Sequence, residues 1–146
     1  MPTLVIVGGG LVGALTAITF ARKGYDVTVY EKRPDIRKEA AVRGRSINLA
    51  LSLRGISALK AAGIESSVVN NTIPMTGRMI HVGHSEPYPQ PYGMYGESIN
   101  SVDRRYLNEH LLDVAESNPN VKLVFNHALE WADFHTDHCE LYFRKL

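Results

Sequence analysis

Leu4-Val5-Ile6-Val7-Gly8-Gly9-Gly10-Leu11-Val12-Gly13, at the start of a 146-residue chain, decides the fold. Residues 4–7 form a short unbroken apolar run, the pattern of a parallel strand covered on both faces. The run empties into Gly8-Gly9-Gly10-Leu11-Val12-Gly13, which fits G-x-G-x-x-G. Leu11, Ala14, Leu15, Ile18 and Ala21 then recur on one helical face, and Gly24 closes that helix. Residues 26–30 read as a second strand with Glu31 at its carboxyl end. The motif alone is a common glycine loop. Here a strand precedes it, a helix follows it, the length is right and an acid ends the next strand. Gly8 permits the tight turn, Gly10 admits a pyrophosphate to the backbone, and Gly13 lets helix and strand pack closely. The helix N-terminus faces the anion, and Glu31 is placed to accept hydrogen bonds from an adenosine ribose. The unit binds a dinucleotide; whether NAD or FAD, the motif does not say.

Composition sets bounds. The length suits one domain with a real core. A formal net charge of +1 and an ordinary apolar share of 45% give no electrostatic footprint for nucleic acid. The single cysteine, Cys139, excludes an internal disulfide and fits a reducing compartment. Gly8, Gly9, Gly10 and Gly13 break the apolar stretch 4–21, so no segment spans a bilayer, and the start lacks the basic region of a secretory signal. A soluble intracellular chain is expected.

After Glu31 the βαβ rhythm is interrupted. A basic arm over 32–45 holds Arg33, Arg37, Lys38, Arg43 and Arg45; it reads either as a solvated loop or as a phosphate clamp. Residues 46–52 look extended, a helix is expected over about 53–62 stopping at Gly63, and a shorter one over 65–70. Residues 75–82 suit one strand, 83–96 are turn-rich with three prolines, and 97–102 return as a strand. Asp103 is a good N-cap for a helix carrying Leu107, Leu111, Val114 and Ala115. Val121, Leu123 and Phe125 alternate as the strand at which the parallel sheet resumes. An NAD-type unit would continue at once with a second crossover helix. The interruption favours a flavoprotein whose Rossmann-like sheet is split by a substrate domain.

Arg43-Gly-Arg-Ser-Ile-Asn-Leu-Ala-Leu-Ser52, Ile73-Pro-Met-Thr-Gly-Arg-Met-Ile-His81, Pro91-Tyr-Gly93 and Ile99-Asn-Ser-Val-Asp-Arg104 then make the chain resemble the kynurenine 3-monooxygenase family of FAD-dependent aromatic hydroxylases. Matching stretches continue to Phe125-Asn126-His127, so the resemblance covers about the first 130 residues in consistent order. It implies an α/β fold: a Rossmann-like FAD-binding βαβ unit interrupted by the start of a β-rich substrate domain, and truncated. On this division residues 1–52 start the dinucleotide unit, 73–102 supply a strand pair to the substrate site, and 103–146 return to the FAD sheet.

The implied activity is NADPH- and O2-dependent hydroxylation of L-kynurenine to 3-hydroxy-L-kynurenine, in tryptophan degradation and NAD biosynthesis by way of quinolinate. The resemblance implies that Gly8, Gly10, Val12 and Gly13, with Tyr30, Glu31, Lys32 and Arg33, hold the adenosine part of FAD. Ala50, Arg104 and Leu129 match further cofactor-contacting positions. Arg78 and Tyr92 resemble the pair that binds the amino-acid carboxylate of kynurenine, a guanidinium gripping it through two hydrogen bonds and a phenol adding a third. No acid or base is expected to be catalytic, because the cofactor carries the chemistry.

Each assignment has an alternative: Arg104 as a surface arginine, Arg78 as a side chain lying along Met75, Met79 and Ile80, Tyr92 as a loop aromatic. No metal is expected, since His135, His138 and Cys139 lack a second ligand pair at proper spacing. The chain has no Asp-Gly or Gly-Asp dipeptide and no recognisable motif over 132–146. It is therefore expected to be an N-terminal fragment or a truncated or spliced product. On that view it is inactive alone, poorly soluble through an orphaned sheet edge, and without the C-terminal segment that ties the family to the cytosolic face of the mitochondrial outer membrane. A catalytically silent dinucleotide-binding fragment is the alternative function, and an NAD-dependent dehydrogenase a third.

Overall fold

A computed structural model describes residues 1–40 and 47–146. The chain runs β1 (Thr3–Val7), α1 (Leu11–Ala21), β2 (Asp26–Tyr30), β3 (Asn48–Leu51), α2 (Leu53–Ala61), α3 (Glu65–Val69) and β4 (Ile73–Met75). It continues through β5 (Gly77–Ile80), β6 (Tyr88–Pro91), β7 (Ile99–Asp103), α4 (Arg104–Glu116), β8 (Val121–Val124), β9 (His127–Phe134) and β10 (Cys139–Lys145). Two compact units result, one from residues 1–44 and 107–146, the other from 45–106. Among the described residues no helix is long and apolar enough to cross a membrane.

In the first unit β1, β2 and β8 form a parallel sheet in the order β1-β2-β8. The sheet resumes at Val121 as the alternation indicates, and β2 sits at its centre with Val27 and Val29 buried. Leu4 and Ile6 pair with these two valines and share their face. That face meets α1, whose Ala14, Ala17, Ile18 and Ala21 are buried. The expectation that β1 is covered on both faces does not hold among the described residues. Val5 and Val7 are exposed, because α1 covers the Ile6 face and β1 is a sheet edge. The opposite face is covered at Tyr30, whose ring stacks on Phe143 of β10 at 4.0 Å. The β9–β10 hairpin, with a bulge between Tyr142 and Phe143, takes in most of residues 132–146, which carry no motif in the sequence.

In the second unit β3 and β4 flank β7, all antiparallel, while β5 and β6 form a separate hairpin. The single strand expected over 75–82 is thus two strands in two sheets. Strand β6 falls inside the segment expected to be turns. Its prolines explain both the omission and how it pairs. Tyr92 N–H donates to Thr76 O at 2.9 Å, so even-numbered residues aim their amides at β5. Pro89 and Pro91 occupy the alternate positions, whose nitrogens point away from the ladder, where a missing N–H costs nothing. Asp103 ends β7 and caps α4, its Oδ1 accepting Tyr106 N–H at 2.8 Å.

Candidate functional site

The three glycines of the motif are required for three different reasons. Gly8 has φ +108°, a conformation that side chains other than glycine rarely adopt, and its N–H donates to Tyr30 O at 2.7 Å. At Gly13 a Cβ would stand 1.8 Å from Gly8 O, so the loop and α1 are in direct backbone contact. Gly10 has an ordinary extended conformation, φ −76° and ψ −174°, and an added Cβ would meet nothing within 4 Å. Its bareness serves nothing in the fold; it leaves the backbone open to an incoming group. Gly10 provides no side-chain cap, and no described residue accepts the N–H groups of Leu11, Val12 or Gly13, the orphan donors of the first turn. Val12 itself is exposed. The cluster suits an anion.

Glu31 is buried and is the pivot of the loop. Its Oε2 accepts Gly9 N–H at 2.7 Å, and its Oε1 accepts both the backbone N–H and the Nε–H of Arg33 at 2.9 Å. Gly9, an unspecified position of the motif, was not singled out from sequence. Yet its Cβ would lie 3.1 Å from Glu31 Cβ, so a side chain there would push the carboxylate away. The signal available was a third glycine combined with an acid at the end of β2. An ionised carboxylate offers about four acceptor sites. Three are used, leaving one on Oε2, so Glu31 can still take a ribose hydroxyl. Lys32 and Arg33 are exposed beside it.

Burial alone would raise the Glu31 pKa. The hydrogen bonds from Arg33 and from Gly9 outweigh it and hold the carboxyl below its ordinary value of 4.5. A depressed folded pKa contributes stability that is fully present above the unfolded value and lost as pH falls through the folded one. Acid titration of the chain therefore shows a loss of stability below about pH 4.5 that is smaller in Glu31→Gln, measured as denaturant midpoints between pH 3 and 7.

The basic arm splits. Arg37 neither floats in solvent nor faces a ligand: it clasps buried Asp35 through Nε and Nη2 at 2.8 and 2.7 Å. Its Nη1 reaches Asp113 and Glu116 of α4 at 2.9 and 2.7 Å. Arg43 and Arg45 lie outside the described residues.

In the second unit Ala50 pairs with Ser101 in the β3–β7 ladder. Arg104 stands where that ladder ends, its N–H on Ile47 O at 3.2 Å. Both side chains are exposed. Arg78 pairs with Gln90 across the β5–β6 hairpin, and Tyr92 lies two residues further on, so register puts Arg78 and Tyr92 on one face. Arg78 Nε donates to Gln90 Oε1 at 2.8 Å, and no described residue engages its terminal nitrogens or the Tyr92 hydroxyl. Arg78, Met79, Gln90, Pro74 and Gly93 line an open groove of about 630 Å³; Tyr92 is not among its walls. Leu129 belongs to the first unit, on β9 opposite Phe143, and is partly exposed.

The chain is similar to known proteins in sequence and in fold. Kynurenine 3-monooxygenase of Caenorhabditis elegans is 52% identical over 135 residues, 92% of this chain and 29% of its own. The enzyme of the same name from Legionella pneumophila is 47% identical over 136 residues, 92% of this chain and 30% of its own. The chain thus spans less than a third of these relatives' length. Among solved structures, p-nitrophenol 4-monooxygenase from Pseudomonas putida superposes with a TM-score of 0.78 at 20% identity, over 98% of this chain and 37% of that one. The fold is therefore the Rossmann-like α/β fold of FAD-dependent monooxygenases. Residues 3–138 match the FAD dependent oxidoreductase family, and the glycine loop closed by a buried Glu31 lies within that match: the chain belongs to the FAD-dependent oxidoreductase family.

Proposed function

We propose that the chain carries FAD-binding and substrate-orienting residues of an FAD- and NADPH-dependent monooxygenase that hydroxylates L-kynurenine to 3-hydroxy-L-kynurenine with O2. The cofactor half rests on one observation above all: Glu31 is buried, ionised and bonded to the glycine loop, yet keeps one acceptor site. The substrate half is supported by identity near one half, over 92% of the chain, to enzymes named for that reaction.

In this reading Gly8, Gly10, Val12 and Gly13 present bare backbone and unpartnered amides to the pyrophosphate, and Glu31 takes a ribose hydroxyl. Tyr30, Lys32 and Arg33 flank the adenosine. Ala50, Arg104 and Leu129 contact the remainder of FAD. Once bound, FAD supplies the redox chemistry, accepting electrons from NADPH and passing one oxygen atom of O2 to the aromatic ring. Arg78 orients the substrate: with Nε tied to Gln90, its guanidinium is held with the terminal nitrogens available to a carboxylate, and Tyr92 offers a hydroxyl from the same face.

Titrating the purified chain into FAD and following flavin fluorescence tests the cofactor half. Saturable quenching is expected, weakened about tenfold or more in Glu31→Ala, the size of one hydrogen bond to a charged group. A folded far-UV spectrum with no saturable quenching, or quenching indifferent to Glu31→Ala, overturns the assignment. A second reading, FAD binding without turnover by this chain, is favoured by the 29–30% of its relatives that it spans. Assay of the FAD-loaded chain for 3-hydroxy-L-kynurenine separates the two.

A further inference from the structure

The tip of the β9–β10 hairpin gathers a ligand set that linear spacing hides. His135 N–H donates to His138 O at 2.9 Å and closes the two-residue loop Thr136-Asp137. This brings the two imidazoles together, stacked with centroids 4.4 Å apart and 16° between planes. Two steps down the ladder Asp133 pairs with Glu140. Strand alternation puts 133, 135, 138 and 140 on one face and Cys139 on the other. One ligating atom each from His135, His138 and Glu140 lies within 4.8 Å of the others. Asp133 Oδ2 stands 3.5 Å from His135 Nε2 as a second carboxylate. The further ligand absent from H-x-x-H-C is Glu140, two residues past His138 on the same face.

Two of these groups are also held in the orientation a metal needs. Asp137 Oδ1 lies 2.8 Å from His138 Nδ1. A carboxylate only accepts, so Nδ1 carries the proton, and the lone pair of the neutral ring is on Nε2. That Nε2 is 3.6 Å from Glu140 Oε1, close to the separation of roughly 3.3 Å between two ligands at 2.0–2.1 Å from a tetrahedral ion. The other Glu140 oxygen accepts the hydroxyl of Tyr142, which keeps Oε1 turned toward the histidines. Carboxylate behind imidazole and donor behind carboxylate are the outer contacts that fix ligands at metal centres.

We propose that His135, His138 and Glu140 bind one divalent transition ion of the zinc class at this hairpin tip, with water completing the coordination. Two imidazoles and a carboxylate suit Zn2+, Co2+, Ni2+ or Cu2+; an oxygen-seeking ion such as Mg2+ is disfavoured. The full chain, without a histidine tag and freed of metal with chelator, is titrated with Zn2+ by calorimetry at pH 7.5 in excess Mg2+. One ion per chain is expected, saturating below about 100 µM, with a rise in melting temperature because the ion binds only the folded hairpin. His135→Asn and His138→Asn each weaken binding at least tenfold. Asp137→Asn and Tyr142→Phe, which touch no metal, weaken it by about tenfold, and Cys139→Ser leaves it unchanged. All these residues are exposed, and an unchanged far-UV spectrum is expected for each variant. No saturation up to about 1 mM, an isotherm indifferent to the histidine substitutions, or loss of binding in Cys139→Ser overturns the site.

Discussion

Gly13→Ala abolishes saturable FAD binding and lowers the unfolding free energy by about 3 kcal/mol, the upper range for overpacking a tight contact. The methyl would stand 1.8 Å from the Gly8 carbonyl oxygen and 3.4 Å from Ile6 Cγ2. The first obstacle is backbone, with no side chain to rotate aside, so either the loop or the start of α1 must move. Gly8 cannot yield freely: its own N–H is bonded to Tyr30 O and its φ is +108°. Gly10→Ala is the informative contrast. Nothing lies within 4 Å of its added Cβ, and its backbone suits alanine, so stability falls only by the N-cap preference, under about 1 kcal/mol. FAD affinity nonetheless drops, because the methyl occupies the approach to the amides. Denaturant midpoints and flavin fluorescence on both variants separate a glycine needed by the fold from one needed by the ligand. Equal effects on both readouts in the two variants would refute that division.

Local pattern carried the parts of this fold that local chemistry decides. The β1-α1-β2 unit follows from an apolar run, a glycine loop and a 3.6-residue period, and the cap at Asp103 from its place before an amphipathic helix. What sequence did not reveal is held by register and long-range pairing. Strand β6 is hidden because prolines argue against strands until one knows which way each nitrogen points. The hairpin of β9 and β10 is set by long-range register, and Trp131 and Phe134 stay exposed on it, so apolar periodicity does not mark a buried face there. The same limit applies to the site. The glycines and Glu31 lie within one short unit and were legible together. The proposed metal-ligating group depends on the hairpin closing between His135 and His138, which sets both imidazoles on one face with Glu140. Arg37 read as one basic residue in a basic arm, because its partners on α4 are 76 and 79 residues away.

Arg37 carries a large expected stability effect in the first unit. Arg37→Ala should cost about 3 kcal/mol, since removing one partner of a buried pair leaves the other charge uncompensated. Asp35 is 6% exposed and meets the guanidinium through both of its oxygens. Asp113 and Glu116 are more than half exposed, and water replaces the lost cation there at little cost. The hydrogen bonds from Arg37 hold the Asp35 pKa below its ordinary 3.8 against the opposing effect of burial. The resulting contribution is therefore complete above about pH 4 and disappears as pH falls through the lower folded value. Without the Arg37 guanidinium, burial is opposed only by the backbone N–H of residue 37 and by Lys38, so the Asp35 pKa rises from its depressed value, the carboxyl protonates sooner and the penalty shrinks. The gap between wild type and Arg37→Ala is thus widest near neutral pH and narrows on acidification. Adding Asp35→Asn to Arg37→Ala removes the stranded charge and recovers part of the loss at pH 7, but little at pH 3.5. Urea midpoints of the two variants at both pH values decide the matter. A gap independent of pH, with no recovery in the double variant, would mean that Arg37 acts by packing on Phe125, 5.9 Å from its guanidinium, rather than by its charge.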